Sequence, residues 1–347
     1  MEKSVEEPKP ATISELKNLR VIKIAQNLVA NPKEIPKVGP YAIFFSEEDY
    51  PALSPVMWNQ VAQKNNFDFQ LVLLVASPQD LPRILTAVKA EERLKGGVFG
   101  VGFKDEVGKF LDWTEPTAEI SNSVNVFVKK PESIVEGYNT DAVGFVKSLE
   151  EKLAELKRGA LFGKKVLILG AGGTGSAIAS ILAPKVEELV ILNRTVLKAE
   201  ELARKINQHT RGKITRFGGE DKIAQEAEIA DIIINTTTKG ATGPFSDYTA
   251  LTSAGGKFTV EKNRQESEKL LASLKKKPLI CDIILTSGET PTIALAKKLG
   301  FPTLDGKPMN LYQAIPGIKL VFPEVAKISD RELEDTMRAA QIEATQR

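Results

Sequence analysis

The residues with the clearest chemical role are three glycines in the segment GAGGTGSA, at Gly170, Gly172 and Gly175. They follow an apolar run and precede a helical pattern, so the G-x-G-x-x-G spacing lies between a strand and a helix. There, the first glycine permits a tight turn, the second lets the backbone approach a pyrophosphate, and the third lets helix and strand pack closely. Free N–H groups at the helix start would face the phosphates. The predicted cofactor contacts in this loop are Gly170, Ala171, Gly172, Gly173, Thr174 and Gly175.

The end of the next predicted strand indicates which dinucleotide binds. Folds that bind NAD usually place an Asp or Glu there to hold the ribose hydroxyls. This chain instead has Asn193, Arg194 and Thr195, with Lys198 shortly after. Arg194 can pair with a 2′-phosphate, and Thr195 can donate a hydrogen bond to it. We therefore predict NADP as the cofactor; the alternative is that Arg194 is a solvated surface charge.

Composition excludes several classes of protein. The 347 residues are 42% hydrophobic and 27% charged, which is typical of a soluble globular protein of about two domains. The net charge of +2 gives no reason to expect nucleic acid or a membrane surface as a partner. A single cysteine, Cys281, and a single histidine, His209, predict neither a disulfide nor a metal site. No apolar run could span a bilayer and the N-terminus does not resemble a signal peptide, so we expect a cytoplasmic location.

The elements that must position these residues alternate between strands and helices, which predicts an α/β fold with parallel pairing. The segments VNVFVKK and IVEGYNT predict a hairpin within it. Ser54 is predicted to cap a helix whose first residue is Pro55. We expect two domains, an N-terminal α/β substrate-binding domain and a Rossmann-like NADP-binding domain, with a cleft between them.

The predicted boundaries follow from changes in pattern along the chain. Residues 1–38 are polar and contain Pro8, Pro10, Pro32 and Pro36, so they are expected to form a flexible or loosely docked arm. The substrate-binding domain is predicted to comprise 39–147 together with 305–347. The NADP-binding domain is predicted to comprise 148–304.

From about Tyr41 to about Leu320 the order of motifs resembles the shikimate dehydrogenase family. The motifs are LSPVMWNQVAQ, GGVFGVGFKDEV, SVNVFV, GYNTDAVGF, GAGGTGSA, NRT, INTTTKG, ETP and DGKPMNLYQA. GYNTDAVGF and the cofactor segment are the most specific of them. The resemblance implies an NADP-dependent oxidoreductase of the chorismate pathway that interconverts 3-dehydroshikimate and shikimate. It implies a small cyclic hydroxy acid or polyol as the partner and leaves a homodimer open.

By the same resemblance, Lys104 corresponds to the catalytic lysine and Asp141 to its carboxylate partner. The chemistry fits, because a lysine ammonium near a ketone polarises the carbonyl and supplies a proton to the developing alkoxide. The alternatives are a surface lysine and a helix N-cap aspartate.

Further residues correspond to ligand contacts of the family. Met309 matches a residue near the nicotinamide, and a core methionine is its alternative. The remaining matches are Ser54, Asn125 and Gln313 on the substrate side, and Asn235 and Thr237 beside the cofactor pocket.

The chain departs from the family pattern at several polar positions. Hydroxyl groups that hold the substrate carboxylate in the family are missing at Ala52 and Leu285. Each missing hydrogen bond to a carboxylate weakens its recognition. Two alternatives therefore stay open: a dehydrogenase of quinate or another cyclic polyol, and a non-catalytic sensor that binds NADP or a metabolite. In the other departures from the family pattern, a histidine is replaced by Trp58, an asparagine by Val98, a threonine by Gly100, a proline by Gly102 and a threonine by Val126.

Overall fold

The computed structural model describes residues 11–28, 31–49, 52–100, 102–210, 215–241, 243–255, 258–286 and 288–346. Residues 1–10 of the predicted arm lie outside this set. The α-helices are α1 (Ile13–Asn18), α2 (Leu53–Lys64), α3 (Leu81–Ala90), α4 (Pro116–Ser121), α5 (Thr140–Glu155), α6 (Gly173–Leu182), α7 (Val196–His209), α8 (Ile223–Ile229), α9 (Val260–Ser273), α10 (Pro291–Lys298), α11 (Lys307–Val321) and α12 (Asp330–Gln346). The strands are β1 (Ile22–Ile24), β2 (Tyr41–Ser46), β3 (Gln70–Ala76), β4 (Leu94–Phe99), β5 (Trp113–Thr114), β6 (Val126–Lys129), β7 (Val135–Tyr138), β8 (Lys165–Leu169), β9 (Glu188–Leu192), β10 (Thr215–Gly218), β11 (Ile232–Asn235), β12 (Leu279–Asp282) and β13 (Thr303–Leu304).

The chain divides into two compact units. The first comprises Met1–Glu115, Val124–Tyr138 and Ala314–Arg347, and the second comprises Pro116–Ser123 and Asn139–Gln313. The first division, at 138/139, lies earlier than the predicted boundary at 147/148. The second division, at 313/314, lies later than the predicted boundary at 304/305. The physical reason at the first boundary is that α5 belongs to the core of the second unit, where Phe145 and Leu149 pack in one cluster with Val166 of β8.

The first unit contains a mixed sheet with the strand order β1-β3-β2-β4-β6-β7-β5. Its centre is parallel, because β2 pairs in parallel with both β3 and β4, and α2 and α3 connect these strands. The predicted hairpin forms from β6 and β7, which pair antiparallel. Since β6 also runs antiparallel to β4, its first residues lie at the same edge of the sheet as the carboxyl end of β4.

The segment expected to be a flexible arm contributes ordered elements to this unit. Thr12 and Glu15 form a capping box at α1, which satisfies backbone N–H groups at the helix start. Ile13 and Leu16 are fully buried, and β1 pairs antiparallel with β3. The prolines therefore did not prevent docking: the segment between them has enough apolar residues to cover the edge of the sheet.

The start of α2 differs from the prediction. The helix begins at Leu53 and its N-cap is Ala52, whose methyl side chain makes no capping hydrogen bond. Ser54 is therefore the second helical residue and Pro55 the third. Proline is tolerated throughout the first turn, where its missing N–H has no intrahelical partner, so the Ser-Pro pair did not fix the register.

The second unit contains a sheet with the order β10-β9-β8-β11-β12-β13, and every pair in it is parallel. Counted from β8, this is the order 3-2-1-4-5-6 of dinucleotide-binding folds, as predicted. Alternate residues of the strands enter two different apolar clusters, so the sheet is covered on both faces. Within the described ranges, the chain forms no helix with the length and apolar character needed to cross a membrane.

Candidate functional site

The loop between β8 and α6 has the geometry that its glycine spacing predicts. Gly170 has a positive φ of 114°, which L side chains rarely adopt. A Cβ added at Gly175 would lie 2.4 Å from Oγ1 of Thr236 and 3.0 Å from the carbonyl oxygen of Gly170, so the helix packs too closely for any side chain. A Cβ added at Gly172 would meet no heavy atom of the described residues within 4 Å. The middle glycine therefore faces open space, where a pyrophosphate could approach the backbone.

Two side chains outside the loop hold it in place. Oδ1 of Asn193 accepts a hydrogen bond from the Ala171 N–H (3.2 Å), and its Nδ2 donates to the Thr195 carbonyl (2.9 Å). Oγ1 of Thr236 donates to the carbonyl of Leu169 (3.0 Å). Asn193, predicted as a cofactor residue, thus bonds to the backbone of the glycine loop and to the backbone of its own segment, which makes it a positioning residue.

The other residues predicted to recognise the 2′-phosphate lie on the surface beyond β9. Arg194, Thr195 and Lys198 are exposed. Thr195 is the N-cap residue of α7, yet its side chain makes no capping hydrogen bond. A guanidinium, a hydroxyl and an ammonium thus stand at the position where NAD-binding folds usually have a carboxylate.

A buried polar network lies at the ends of β11 and β12. Oδ1 of Asn235 accepts hydrogen bonds from the backbone N–H and the hydroxyl of Thr237, at 2.9 and 2.7 Å. Asp282, which pairs in register with Asn235, accepts from Oγ1 of Thr290 (2.7 Å) and from the N–H of Ile284 (3.1 Å). Burial raises the pKa of Asp282 to about 6, while Thr290 and Asn235 act in the opposite direction. Asn235 and Thr237 therefore shape the loop after β11.

In the first unit, the predicted residues gather at the carboxyl edge of β2 and β4. Lys104 is half-buried in a turn after β4, and its carbonyl accepts from the Val124 N–H (3.0 Å). Asn125 is 1% exposed, and its carbonyl accepts from the N–H of Phe99, the last residue of β4 (2.9 Å). Ser54 lies in the first turn of α2, which follows β2, and is 5% exposed. Backbone pairing thus places all three residues at one edge.

At the positions where this chain departs from the family pattern, other side chains occupy or border the space of the family's residues. A Cβ added at Gly100 would lie 2.5 Å from Cε1 of Phe44, so the Phe44 ring occupies the space of a threonine side chain. Gly102 has a positive φ of 86°, and a Cβ there would lie 2.4 Å from Oε2 of Glu47. Val98 is 4% exposed. At this edge an aromatic ring therefore takes the place of a hydroxyl group, a buried valine that of an amide, and a carboxylate lies beside the position of a proline.

In the second unit, Asp141 and Gln313 lie near each other. Asp141 is 6% exposed in the first turn of α5, and the N-cap of that helix is Asn139, so Asp141 is not the capping residue. Oε1 of Gln313 accepts a weak hydrogen bond from Oγ1 of Thr140, the neighbour of Asp141 (3.5 Å). At Gly144, a Cβ would lie 2.5 Å from the Gln313 backbone nitrogen, which shows how closely α11 crosses α5.

Met309 lies on the same helix α11, one turn before Gln313. It is 8% exposed and belongs to the apolar cluster of the second unit, so it packs as a core methionine in the structure. A position at the margin of a core is compatible with contact to a cofactor ring.

Sequence reasoning missed several residues that organise the second unit. Thr236 fixes the glycine loop, although only its neighbours were predicted. Asp282 anchors the network after β12; its signal was a lone carboxylate within the apolar run PLICDIIL. Lys239 is 7% exposed, and a nearly buried lysine gives no distinct sequence signal.

Comparisons with known proteins agree with this arrangement. The family described as "Shikimate dehydrogenase substrate binding domain" matches residues 50–127, and "Shikimate / quinate 5-dehydrogenase" matches residues 152–244. The chain is 32% identical over 264 residues to the shikimate dehydrogenase (NADP(+)) of Caldanaerobacter subterraneus subsp. tengcongensis, covering 76% of this chain and 84% of the relative.

Comparisons with solved structures also identify shikimate dehydrogenases as similar proteins. A shikimate dehydrogenase in complex with NADP+ is 25% identical, with a TM-score of 0.67 over 87% of this chain and 95% of that one. The shikimate 5-dehydrogenase of Listeria monocytogenes, solved with shikimate and NAD, has a TM-score of 0.69 at 23% identity over 89% of this chain and 99% of its own. The fold, the glycine loop and the extent of sequence identity lead to one conclusion: this chain belongs to the shikimate dehydrogenase family.

Proposed function

We propose that this protein is an NADP-dependent oxidoreductase that interconverts 3-dehydroshikimate and shikimate. The observation that carries the proposal is the 32% identity to a shikimate dehydrogenase (NADP(+)) over 84% of that relative. A quinate or polyol dehydrogenase and a non-catalytic sensor, the alternatives left open by the sequence, are not favoured by these relatives.

The residues around the loop fit NADP. Gly172 faces open space beside the start of α6, whose first N–H groups have no partner within the helix and can bind phosphate oxygens. Arg194 is exposed at the end of β9 and can pair with a 2′-phosphate through two parallel hydrogen bonds. When bound, the cofactor supplies or accepts the hydride. We assign the remaining contacts to Ala171, Gly173, Thr174, Thr195, Lys198, Asn235, Thr237 and Met309.

We assign the acid/base chemistry to Lys104 and Asp141. In the reductive direction, the Lys104 ammonium donates a proton to the oxygen that gains charge at the ketone, and in the oxidative direction the amine accepts it. The Asp141 carboxylate is assigned to accept hydrogen bonds from the substrate hydroxyls. Ser54, Asn125 and Gln313 are the proposed substrate contacts, because each is a polar side chain at most 6% exposed at the end of a strand or on a helix that follows one.

The test is the rate of NADP reduction with shikimate, compared between the unchanged protein and Lys104→Met. We expect kcat to fall by about 10²- to 10⁴-fold, the usual loss when a general acid–base group is removed. Lys109→Met is the matched control, since Lys109 is an exposed lysine of the same loop that pairs with Glu106. Equal rates in the Lys104 variant and the unchanged protein would contradict the assignment. Absence of turnover in the unchanged protein, with NADP still bound, would support the sensor instead.

Two broader predictions accompany this proposal. A homodimer, which the sequence leaves open, is checked by light scattering of the purified full-length chain. The cytoplasmic location expected from composition is checked by fractionation of the native host.

A further inference from the structure

A carboxylate lies beside the segment that is proposed to bind the 2′-phosphate. Gly218, the last residue of β10, pairs with Leu192 of β9, and its carbonyl accepts from the Asn193 N–H (3.1 Å). A Cβ added at Gly219 would lie 2.3 Å from Oδ1 of Asp221, in the same loop, and 3.3 Å from Cγ2 of Val196, at the start of α7. Glu220 follows directly. The chain therefore lacks a carboxylate at the end of β9, but the loop after β10, whose backbone lies beside that segment, carries the carboxylate of Glu220.

This carboxylate is paired with the nearly buried Lys239. Nζ of Lys239 donates to Oε1 of Glu220 (2.8 Å) and to the carbonyl of Thr252 (2.5 Å). The side chains of Lys239 and Glu220 are only 9% and 13% exposed. The backbone of Lys239 is also fixed, since its carbonyl accepts from Nδ2 of Asn235 (3.1 Å). The pair therefore joins the loop after β10 to the loop after β11.

The guanidinium of Arg194 acts on the same pair. Burial lowers the pKa of Lys239, the Glu220 carboxylate raises it, and the positive charge of Arg194 lowers it further. The charge of Arg194 thus acts on Lys239. This agrees with the position of the loop that carries Glu220, whose backbone lies beside Asn193.

We propose that Lys239 and Glu220 together determine cofactor specificity: Lys239 neutralises the Glu220 carboxylate, which would otherwise repel a 2′-phosphate and attract Arg194. The inference rests on the proposed function, because it assumes that NADP binds beside Arg194. An unpaired carboxylate there would recreate the charge arrangement that folds selective for NAD use to bind ribose hydroxyls. With Lys239 in place, the charge of Glu220 is compensated, whereas the exposed Asp221 of the same loop is unchanged in every variant compared.

The test measures dissociation constants of NADP and NAD by titration calorimetry, without substrate, on the full-length protein. In Lys239→Met we expect NADP to bind about tenfold more weakly relative to NAD, because the unpaired carboxylate opposes the phosphate dianion. In the double variant Lys239→Met/Glu220→Gln, the NADP to NAD ratio should return to within about twofold of the unchanged protein, since both charges are gone. Lys239→Arg keeps the charge and should keep the ratio.

The matched control is Lys276→Met, which removes a lysine that pairs with Asp231 at the opposite end of β11. It should leave the ratio unchanged. If Lys239→Met weakens NADP and NAD equally, or if the double variant shows no recovery, the pair has a purely structural role and the inference is wrong. Preference of the unchanged protein for NAD would instead contradict the proposed function. These outcomes are distinguishable because the ratio of the NADP and NAD dissociation constants is compared between proteins. Retained NAD binding shows that a variant is folded.

Discussion

At the carboxyl edge of the second unit's sheet, each glycine of the loop has the surroundings that its position in the motif requires. At the corresponding edge of the first unit, Phe44, Glu47 and Val98 occupy or border positions where the family pattern has polar groups or proline. The difference reflects what each edge must recognise. A pyrophosphate is bound through backbone N–H groups, which constrain glycine spacing, whereas a small substrate is bound through side chains that can change one at a time.

The largest expected effect is at the glycine loop. In Gly172→Ala, the added methyl group occupies the space that a pyrophosphate would need, so we expect NADP affinity to fall about a thousandfold, or about 4 kcal/mol, with an unchanged melting temperature. Gly175→Ala should instead lower the melting temperature, because its Cβ would lie 2.4 Å from Oγ1 of Thr236. Calorimetry and thermal unfolding separate the two. Normal NADP binding by Gly172→Ala would show that the glycine spacing of this loop is not required for the cofactor, and would contradict the contrast between the two edges.

The buried carboxylate of Asp282, at the carboxyl edge of the second unit's sheet, predicts that the free energy of unfolding depends on pH. The pKa of Asp282 is raised from 3.8 to about 6, so between these values the folded state keeps a proton that the unfolded state loses. The stabilisation is complete below about pH 4 and is lost as pH rises through about 6, by up to about 3 kcal/mol. Asp282→Asn should remove this slope in urea unfolding measured from about pH 4 to about pH 7. An identical slope in both proteins would assign it to other groups.

A third prediction tests the carboxyl edge of the first unit's sheet directly. Gly100→Thr restores a family hydroxyl, but its Cβ would lie 2.5 Å from Cε1 of Phe44. We expect a loss of about 2 kcal/mol in the free energy of unfolding, as is usual for overpacked positions. Adding Phe44→Ala should make Gly100→Thr less costly than it is in the unchanged background, and a double-mutant cycle measures this coupling. Additive effects would show that Phe44 does not fill the position.

The smallest expected effect is at Ala52, the N-cap of α2 that lacks a capping side chain. Ala52→Ser should raise the free energy of unfolding by about 1 kcal/mol and lower the KM for shikimate about fivefold, by restoring a hydroxyl of the family pattern. Ala52→Gly is the control, since glycine improves the cap without adding a hydroxyl. A similar KM in Ala52→Ser and Ala52→Gly would mean that the missing serine is unimportant for the substrate.

The sequence predicted the geometry of the glycine loop because its determinants are local. Gly170, Gly172 and Gly175 lie within one turn and one helix start, and each role follows from spacing alone. The hairpin of β6 and β7 and the parallel order around β8 were predictable for the same reason, since apolar periodicity and short connections specify them.

The features that escaped prediction depend on residues far apart in the chain. Phe44 meets Gly100 only because β2 and β4 are neighbours in the sheet. Lys239 meets Glu220 only because two loops end at one edge, and a lysine in INTTTKG looks like any surface lysine. The sequence did not specify how the N-terminal segment docks, because only a few apolar residues between its prolines and charges make those contacts.

The interrupted course of the first unit bears on how the protein emerges from the ribosome. Its sheet is complete by Tyr138, yet α2 packs against α12 at the other end of the chain, where Nζ of Lys64 donates to Oγ1 of Thr336 (2.9 Å) and Met337 is fully buried. The second unit is synthesised in between and can close first. The apolar face of α2 therefore stays uncovered until α12 has been synthesised, and a chain truncated before α12 should retain a folded second unit while its first unit depends on chaperones.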